Sequence, residues 1–314
     1  MGKVLISGAT GFIGRHLVKR LLDEGWSVVA LTRNRAKAIN LFGRKVEVLE
    51  VDMRREFQLP EGDLLINLAG AIKARNYREF WEHNVLSVEN LVKAVEGKVN
   101  YIIHASSQAA AGPSFDCKPV KEDQAKPVSF YGRSKLEGER RILSFSGDKL
   151  VLRLSAVYGP YDRGFLPAFK IIKRRVIPLV GGDSKFSIIY VEDLVEIMIR
   201  LMEKRATGIV NVATSAVTYR EFSEKSCKIL TGKKPAFVKV PLFMAKVMAS
   251  FSLIYTLFTG EVSMVNPDKV KEIYYPCWIL STDKLKDLLG EIPNTPLQDA
   301  LELTLRWYKD QGWL

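Results

Sequence analysis

Tyr131 and Lys135, in Phe130-Tyr131-Gly132-Arg133-Ser134-Lys135, are the pair in this chain best suited to proton chemistry. On a helix, residues four apart share a face, one turn from each other. A free tyrosine titrates near pH ~10 and is a poor acid–base catalyst at neutrality. A close ammonium favours the phenolate and lowers that pKa by roughly one to three units. That shift brings it toward the range where general acid–base catalysis is efficient. With 11 tyrosines and ordinary lysine usage, about one chance Tyr-x-x-x-Lys match is expected. Only Tyr131 has such a partner. Upstream, Ser106-Ser107 closes the apolar run Tyr101-Ile102-Ile103-His104-Ala105, and a hydroxyl such as Ser107 can hold and polarise a carbonyl oxygen. The chemistry indicated is proton transfer at an alcohol or carbonyl.

A second stretch must position a ligand for that chemistry. Lys3-Val4-Leu5-Ile6-Ser7 reads as a strand buried on both faces, followed by Gly8, Gly11 and Gly14 at intervals of three. From Arg15 to Glu24 apolar residues recur at helical spacing, and Gly25 is placed to end the helix. Strand, glycine turn and helix aim free backbone N–H groups and a positive helix end at a phosphate. Gly8 would make the tight turn, Gly11 would leave room for a pyrophosphate, and Gly14 would let helix and strand pack closely. The other reading of these glycines is a turn that merely reverses the chain.

Further strands are expected at Trp26–Leu31, Lys45–Asp52, Asp63–Gly70, Tyr101–Ala105, within Val151–Pro160 (a strand and the turn after it) and at Ile209–Ala213, with a helix over about 76–95 and the stretch Gly181–Leu194 returning to the sheet and opening a helix. After the second strand stand Thr32-Arg33-Asn34-Arg35, with Lys37 nearby. An acid at this place hydrogen-bonds the ribose 2′-OH of NAD, whereas an arginine accommodates the 2′-phosphate of NADP. Arg33 therefore favours NADP over NAD, and an arginine–phosphate contact is strong and geometrically specific. The competing reading is a solvated basic loop.

The form G-x-x-G-x-x-G, the Tyr131–Lys135 pair and the serines before it resemble the extended short-chain dehydrogenase/reductases, the NAD-dependent epimerase/dehydratase-like family. The resemblance covers nearly the whole chain and is most specific up to about residue 160. It implies an α/β fold: a Rossmann-like, doubly wound parallel sheet with a smaller, mostly helical C-terminal substrate lobe. Residues 1–155 and about 187–214 would form the dinucleotide-binding domain. Residues 156–186 and 215–314 would form the lobe. The catalytic set implied is Ser107, Tyr131, Lys135 and Asn84, with Tyr131 as acid–base and Lys135 binding the nicotinamide ribose. Cofactor contacts are implied at Gly8, Thr10, Gly11, Phe12, Ile13 and Gly14, then at Thr32, Arg33, Asp52 and Met53. They continue at Leu68, Ala69, Gly70, Ser155 and Val157, with Tyr131 and Lys135. Asp52 would hold the adenine amino group; by spacing alone it is equally a strand-end turn residue. Asn84, read without the resemblance, is a structural helical asparagine.

Three departures bear on substrate. Sugar-nucleotide epimerases of this branch carry an arginine where Phe186 stands, and an asparagine near Ser155-Ala156. Dehydratase members follow the catalytic hydroxyl with Asp-Glu, where this chain has Gln108-Ala109. The favoured function is an NADP(H)-dependent oxidoreductase acting on a carbonyl/alcohol pair. The alternatives are a nucleotide-sugar epimerase-like enzyme with recycled cofactor and a non-catalytic NADPH-binding subunit.

The 314 residues, 47% of them hydrophobic, suffice for a cofactor domain and a lobe. The net charge of +12 reads as a lysine-rich surface, or as attraction to nucleotides or an anionic membrane surface. Its dispersion argues against nucleic acid. Cys117, Cys227 and Cys277 lack CxxC spacing, which argues against a disulfide scaffold or metal site and for a reducing compartment, the cytoplasm. The chain enters its first strand at once, so no signal peptide is expected. His83 and His104 read as ordinary histidines, with no metal. The apolar stretch 241–259 reads as a lid helix, an apolar pocket or a membrane-docking surface, and integral insertion is disfavoured because Lys246 interrupts it. A small-molecule substrate is expected, and a homodimer or monomer.

Overall fold

A computed structural model describes residues 2–244 and 267–314. The chain-order strands are β1 (Lys3–Ser7), β2 (Ser27–Thr32), β3 (Glu47–Glu50), β4 (Leu64–Asn67), β5 (Tyr101–Ser107) and β6 (Asp148–Leu154). They continue with β7 (Ala156–Tyr158), β8 (Val176–Val180), β9 (Lys185–Tyr190), β10 (Gly208–Val212), β11 (Ser215–Thr218), β12 (Ala236–Val240) and β13 (Cys277–Trp278). Seven of them form one parallel sheet in the order β10-β6-β5-β4-β1-β2-β3. Each inner strand is buried on both faces, as a parallel sheet covered by helices requires. The strand order reverses between β1 and β4, which opens a crevice at their carboxyl ends.

The helix Phe12–Asp23 packs Leu17, Val18 and Leu21 on one face of this sheet, and Val191–Glu203 shares that core. The helix expected at 76–95 is continuous but contains a π turn. Tyr77–Trp81 runs into Glu82–Leu86 and then Ser87–Val95. Such wide turns often occur where a helix serves a site, and Asn84 lies within it.

The C-terminal region is helical, with helices at Asp283–Leu289 and Leu297–Asp310. It also carries two small sheets. One gathers β11, β9, β13 and β7, and the other pairs β8 with β12. The sequence run from 151 to 160 therefore divides. The chain leaves the large sheet after Leu154 and enters the smaller one at Ala156. Of the stretch 181–194, expected to return to the large sheet, residues 185–190 likewise join the smaller sheet, against β11, β13 and β7, and the expected helix opens at Val191. Aromatic residues fill the lobe core, with Phe222 against Phe165, Phe169 and Phe186. The terminal Trp313 packs on Trp307 and Tyr308. Of the stretch 241–259, residues 245–259 lie outside the described residues. No described helix is long and apolar enough to cross a membrane.

The cysteine reading requires correction. Cys117 and Cys277 form a disulfide across 160 residues of sequence. Ser114 N donates to Cys277 O (2.9 Å) and Val120 N to Ile279 O (2.8 Å), so the two segments lie side by side. That proximity comes from tertiary structure and leaves no trace in local spacing. The cysteine count consequently does not argue for a reducing compartment. Cys227 is a buried free thiol. We expect the Cys117→Ala/Cys277→Ala double variant to lose about 2–4 kcal/mol, because the bridge closes a long loop in the unfolded chain. Denaturant unfolding checks this, and an unchanged midpoint with and without reductant would contradict it.

Candidate active site

Gly8 adopts φ +73°, and a Cβ there would lie 2.8 Å from the Ala69 nitrogen. Gly11 N closes the turn onto Gly8 O (2.9 Å). At Gly14 a Cβ would meet the Gly8 carbonyl oxygen at 2.2 Å, so only glycine lets the helix sit this close to β1. The helix starts at Phe12 with no side-chain cap and no acid in its first turn, leaving its first N–H groups and positive end for a ligand.

A cavity of about 840 Å³ opens before this turn. Gly8, Thr10, Gly11, Thr32, Arg33, Asp52, Met53, Leu68, Ala69 and Gly70, all implied cofactor contacts, line it. Phe12, Ile13, Gly14 and Val157 do not; Phe12 and Val157 pack into the lobe core, and Ile13 into the main core. Lys37, Arg54 and Lys73 add cations to the same wall. Arg33 is exposed on the rim. Arg35 turns away, donating to Val48 O (2.8 Å) on β3. Asp52 is chelated by Arg54 (2.9 and 2.7 Å), which holds its carboxyl well below the usual carboxylate range.

The reacting groups surround a second cavity of about 380 Å³. Ser107 ends β5 and caps the short helix Gln108–Ala111, accepting from Ala109 N (3.1 Å). Tyr131 is second in the helix Phe130–Leu143, whose N-cap Ser129 accepts from Gly132 N (3.0 Å). Tyr131 and Ser107 both line this cavity, and the Ser107 hydroxyl favours the Tyr131 phenolate. Ser106, by contrast, donates to Glu139, which forms a buried ion pair with Arg153 (2.8 Å). Arg153 also donates to Glu122 O (2.9 Å) and Gln124 O (3.2 Å). The two adjacent serines thus do different work.

Lys135 is buried and donates to Ala105 O (2.7 Å), beside Gly70 of the first cavity. Burial pulls it down to about 8, with the Glu139 charge opposing. Spacing alone led us to expect a lowered Tyr131 pKa. Instead burial pushes Tyr131 up to about 12, against the effect of the Ser107 hydroxyl, and the Glu272 charge pushes in the same direction as burial. The Lys135 ammonium is committed to a backbone carbonyl. Tyr131 is accordingly protonated at neutral pH.

Asn84 lines neither cavity. It accepts from Ala71 N (2.8 Å) and donates to Ala71 O (3.0 Å) and Ser134 Oγ (2.9 Å). It ties the loop after β4 to the Tyr131 helix. His104 is buried against Asn67 (2.9 Å), which also meets Ser7. Burial and the nearby Lys135 hold His104 well below its ordinary pKa, so it stays neutral. Sequence reasoning missed the far wall of the second cavity, made by Ile273, Tyr275, Trp278 and Glu272. Those residues follow the least legible part of the chain and carry no local motif.

Residues 4–213 match the sequence model of Epimerase, the NAD dependent epimerase/dehydratase family. The chain belongs to that family. Among its relatives in this family is the ceramide reductase of Caulobacter vibrioides (strain NA1000 / CB15N), 28% identical, with 100% of this chain and 96% of that protein covered. The probable UDP-glucuronate 4-epimerase of Rhizobium meliloti (strain 1021) is 25% identical, covering 99% and 98%. The solved structure of MoeE5 in complex with UDP-glucuronic acid and NAD has a TM-score of 0.75 at 22% identity, over 99% of this chain and 100% of that one. It shows the same fold. The family is thus of extended short-chain dehydrogenase/reductase type, with reductases and epimerases among these relatives.

The two serines separate in a stability measurement. Ser106→Ala removes a buried donor from Glu139 and should cost about 1–3 kcal/mol in denaturant unfolding. Ser107→Ala, at a half-buried hydroxyl, should cost less than ~1 kcal/mol. Equal losses would contradict the assignment.

Proposed function

We propose that this protein is an NADP(H)-dependent reductase acting on an apolar, long-chain carbonyl compound or the corresponding alcohol. The observation that carries this reading is that Ser107 and Tyr131 line one cavity together with the apolar side chains of Ala156, Val180, Phe186, Ile273 and Trp278, its charged members being Lys269 and Glu272. No arginine lines that cavity among the described residues, and Phe186, the position at which the family resemblance implies an arginine in epimerases, is one of its walls. The cavity's lining cation, Lys269, is paired with Glu272, so a diphosphate would find no bidentate arginine fork there. The full-length likeness to a ceramide reductase supports the same substrate character.

The residues present fit a dinucleotide. The uncapped helix end and the Gly8–Gly14 turn suit a pyrophosphate, and Arg33 and Lys37 suit a 2′-phosphate. Lys135 would hold the nicotinamide ribose. Ser155 Oγ is buried without a partner among the described residues and is available to the nicotinamide amide. When bound, the nicotinamide supplies the hydride in reduction and takes it in oxidation.

The chain's own residues handle the oxygen. Ser107 holds the substrate oxygen by hydrogen bonding, and Tyr131 gives its proton to that oxygen as negative charge develops. A phenol kept protonated by burial suits that donor role. Oxidation needs the phenolate, which is scarce at neutrality.

Three measurements test this. Purified protein should consume NADPH with long-chain ketones or aldehydes, and Tyr131→Phe should lower kcat by roughly 10²-fold or more; unchanged activity would contradict the acid–base role. Because Tyr131 sits near pKa about 12, the oxidation rate should rise about tenfold per pH unit across neutrality, while reduction stays flat. Arg33→Ala should lower the NADPH over NADH preference by about tenfold or more, and a retained preference would contradict the 2′-phosphate contact. A nucleotide sugar epimerised without net cofactor consumption would favour the epimerase reading instead.

A further inference from the structure

The helix that carries Tyr131 has no acid in its own first turn. Free N–H groups and a positive helix end favour a negative partner there. The structure supplies that partner from the substrate lobe, through the short helix Pro267–Ile273. Asp268 accepts from Phe130 N with one oxygen (2.7 Å) and from Tyr131 N with the other (3.2 Å). One turn further, Glu272 accepts from the hydroxyl of Ser129, the N-cap (2.7 Å). Between them, Lys271 places its ammonium 4.1 Å from the centre of the Phe130 ring and 3.5 Å from Asp268. Three consecutive residues, Ser129 to Tyr131, are thus gripped by one face of a lobe helix.

That lobe helix is itself held from behind. The Trp278 indole donates to Glu272 O (3.2 Å) and Tyr275 O (3.1 Å). Trp278 lies on β13, paired with Phe186 of β9, and its neighbour Cys277 is bridged to Cys117. Phe186, Glu272 and Trp278 also line the cavity that Tyr131 faces. The wall that meets the substrate and the clamp on the tyrosine helix are the same piece of chain.

Resting on the proposed role of Tyr131, we infer that Asp268 and Glu272 are positioning residues: the substrate lobe caps the Tyr131 helix in trans and thereby fixes the proton donor against the cavity. Hydrogen bonds from backbone N–H to a carboxylate are about twice as strong as neutral ones, and their two-pronged geometry fixes direction. Small displacements of a catalytic group carry large rate penalties.

The test compares full-length wild type with Asp268→Ala, Asp268→Asn and Glu272→Gln. Asp268→Ala should lower kcat about tenfold or more while NADPH affinity, followed by nicotinamide fluorescence, stays within about twofold. Asp268→Asn keeps one acceptor and should fall between. Amide hydrogen exchange at Phe130 and Tyr131 should accelerate about tenfold in Asp268→Ala, with amides of the helix Phe12–Asp23 unchanged. Glu272→Gln, which loses charge but keeps an acceptor, should raise exchange at residues 130–132 less. Wild-type kcat in Asp268→Ala, or unchanged exchange at Phe130 and Tyr131, would overturn the proposal. If no carbonyl supports NADPH consumption, the functional reading fails, and the exchange measurement still decides whether the lobe caps this helix.

Discussion

Burial of a parallel sheet on both faces is the constraint from which the rest of this structure follows. Parallel strands must be joined by crossovers that pass over a face, so every strand ends on the same edge. In this chain that edge receives the turn after β1, the loop after β4, Ser107 at the end of β5 and Ser155 after β6. Gly8 and Gly14 let the first crossover begin within van der Waals reach of β1. Ser7 and Asn67, at the ends of β1 and β4, and His104, in the middle of β5, then join three neighbouring strands by buried hydrogen bonds. The two cavities lie along one edge because the strands leave no other place for their loops.

The Tyr131 helix depends on that edge in a second way. It is fastened by Lys135 to Ala105, by Asn84 through Ser134, and by Glu139 to Arg153. Replacing either member of a buried ion pair alone strands the other charge, so such a pair fixes geometry more surely than it adds stability. From the opposite side the lobe grips residues 129–131. A helix held by the sheet on one side and by the helix Pro267–Ile273 on the other gives its tyrosine one orientation relative to the second cavity.

What was legible in the sequence was what local spacing encodes. The glycines, the strand runs and the four-residue interval from Tyr131 to Lys135 all express periods of one element, and the family followed from them. The two adjacent serines differ in tertiary surroundings that local spacing does not encode: Ser106 is engaged by Glu139, while Ser107 lines the second cavity. What stayed hidden depends on chain segments far apart. Cys117 and Cys277 stand 160 residues apart, and Asp268 is 138 residues from Phe130. The Tyr131 pKa was misjudged in direction for the same reason: spacing reveals the neighbouring lysine but not the burial that outweighs it. Arg35, which by spacing only adds charge near Arg33, is a strand tether.

In the function proposed above, hydride would pass between the nicotinamide and a carbonyl carbon of an apolar substrate, while Tyr131 serves the oxygen. The most direct measurement is a single turnover with NADPH deuterated at the nicotinamide C4 position and a long-chain ketone, analysed by mass spectrometry. The account requires one deuterium on the carbinol carbon of the product from one C4 face, with an equal amount of NADP formed. Product without deuterium, or substrate returned unreduced with the cofactor unoxidised, would contradict it.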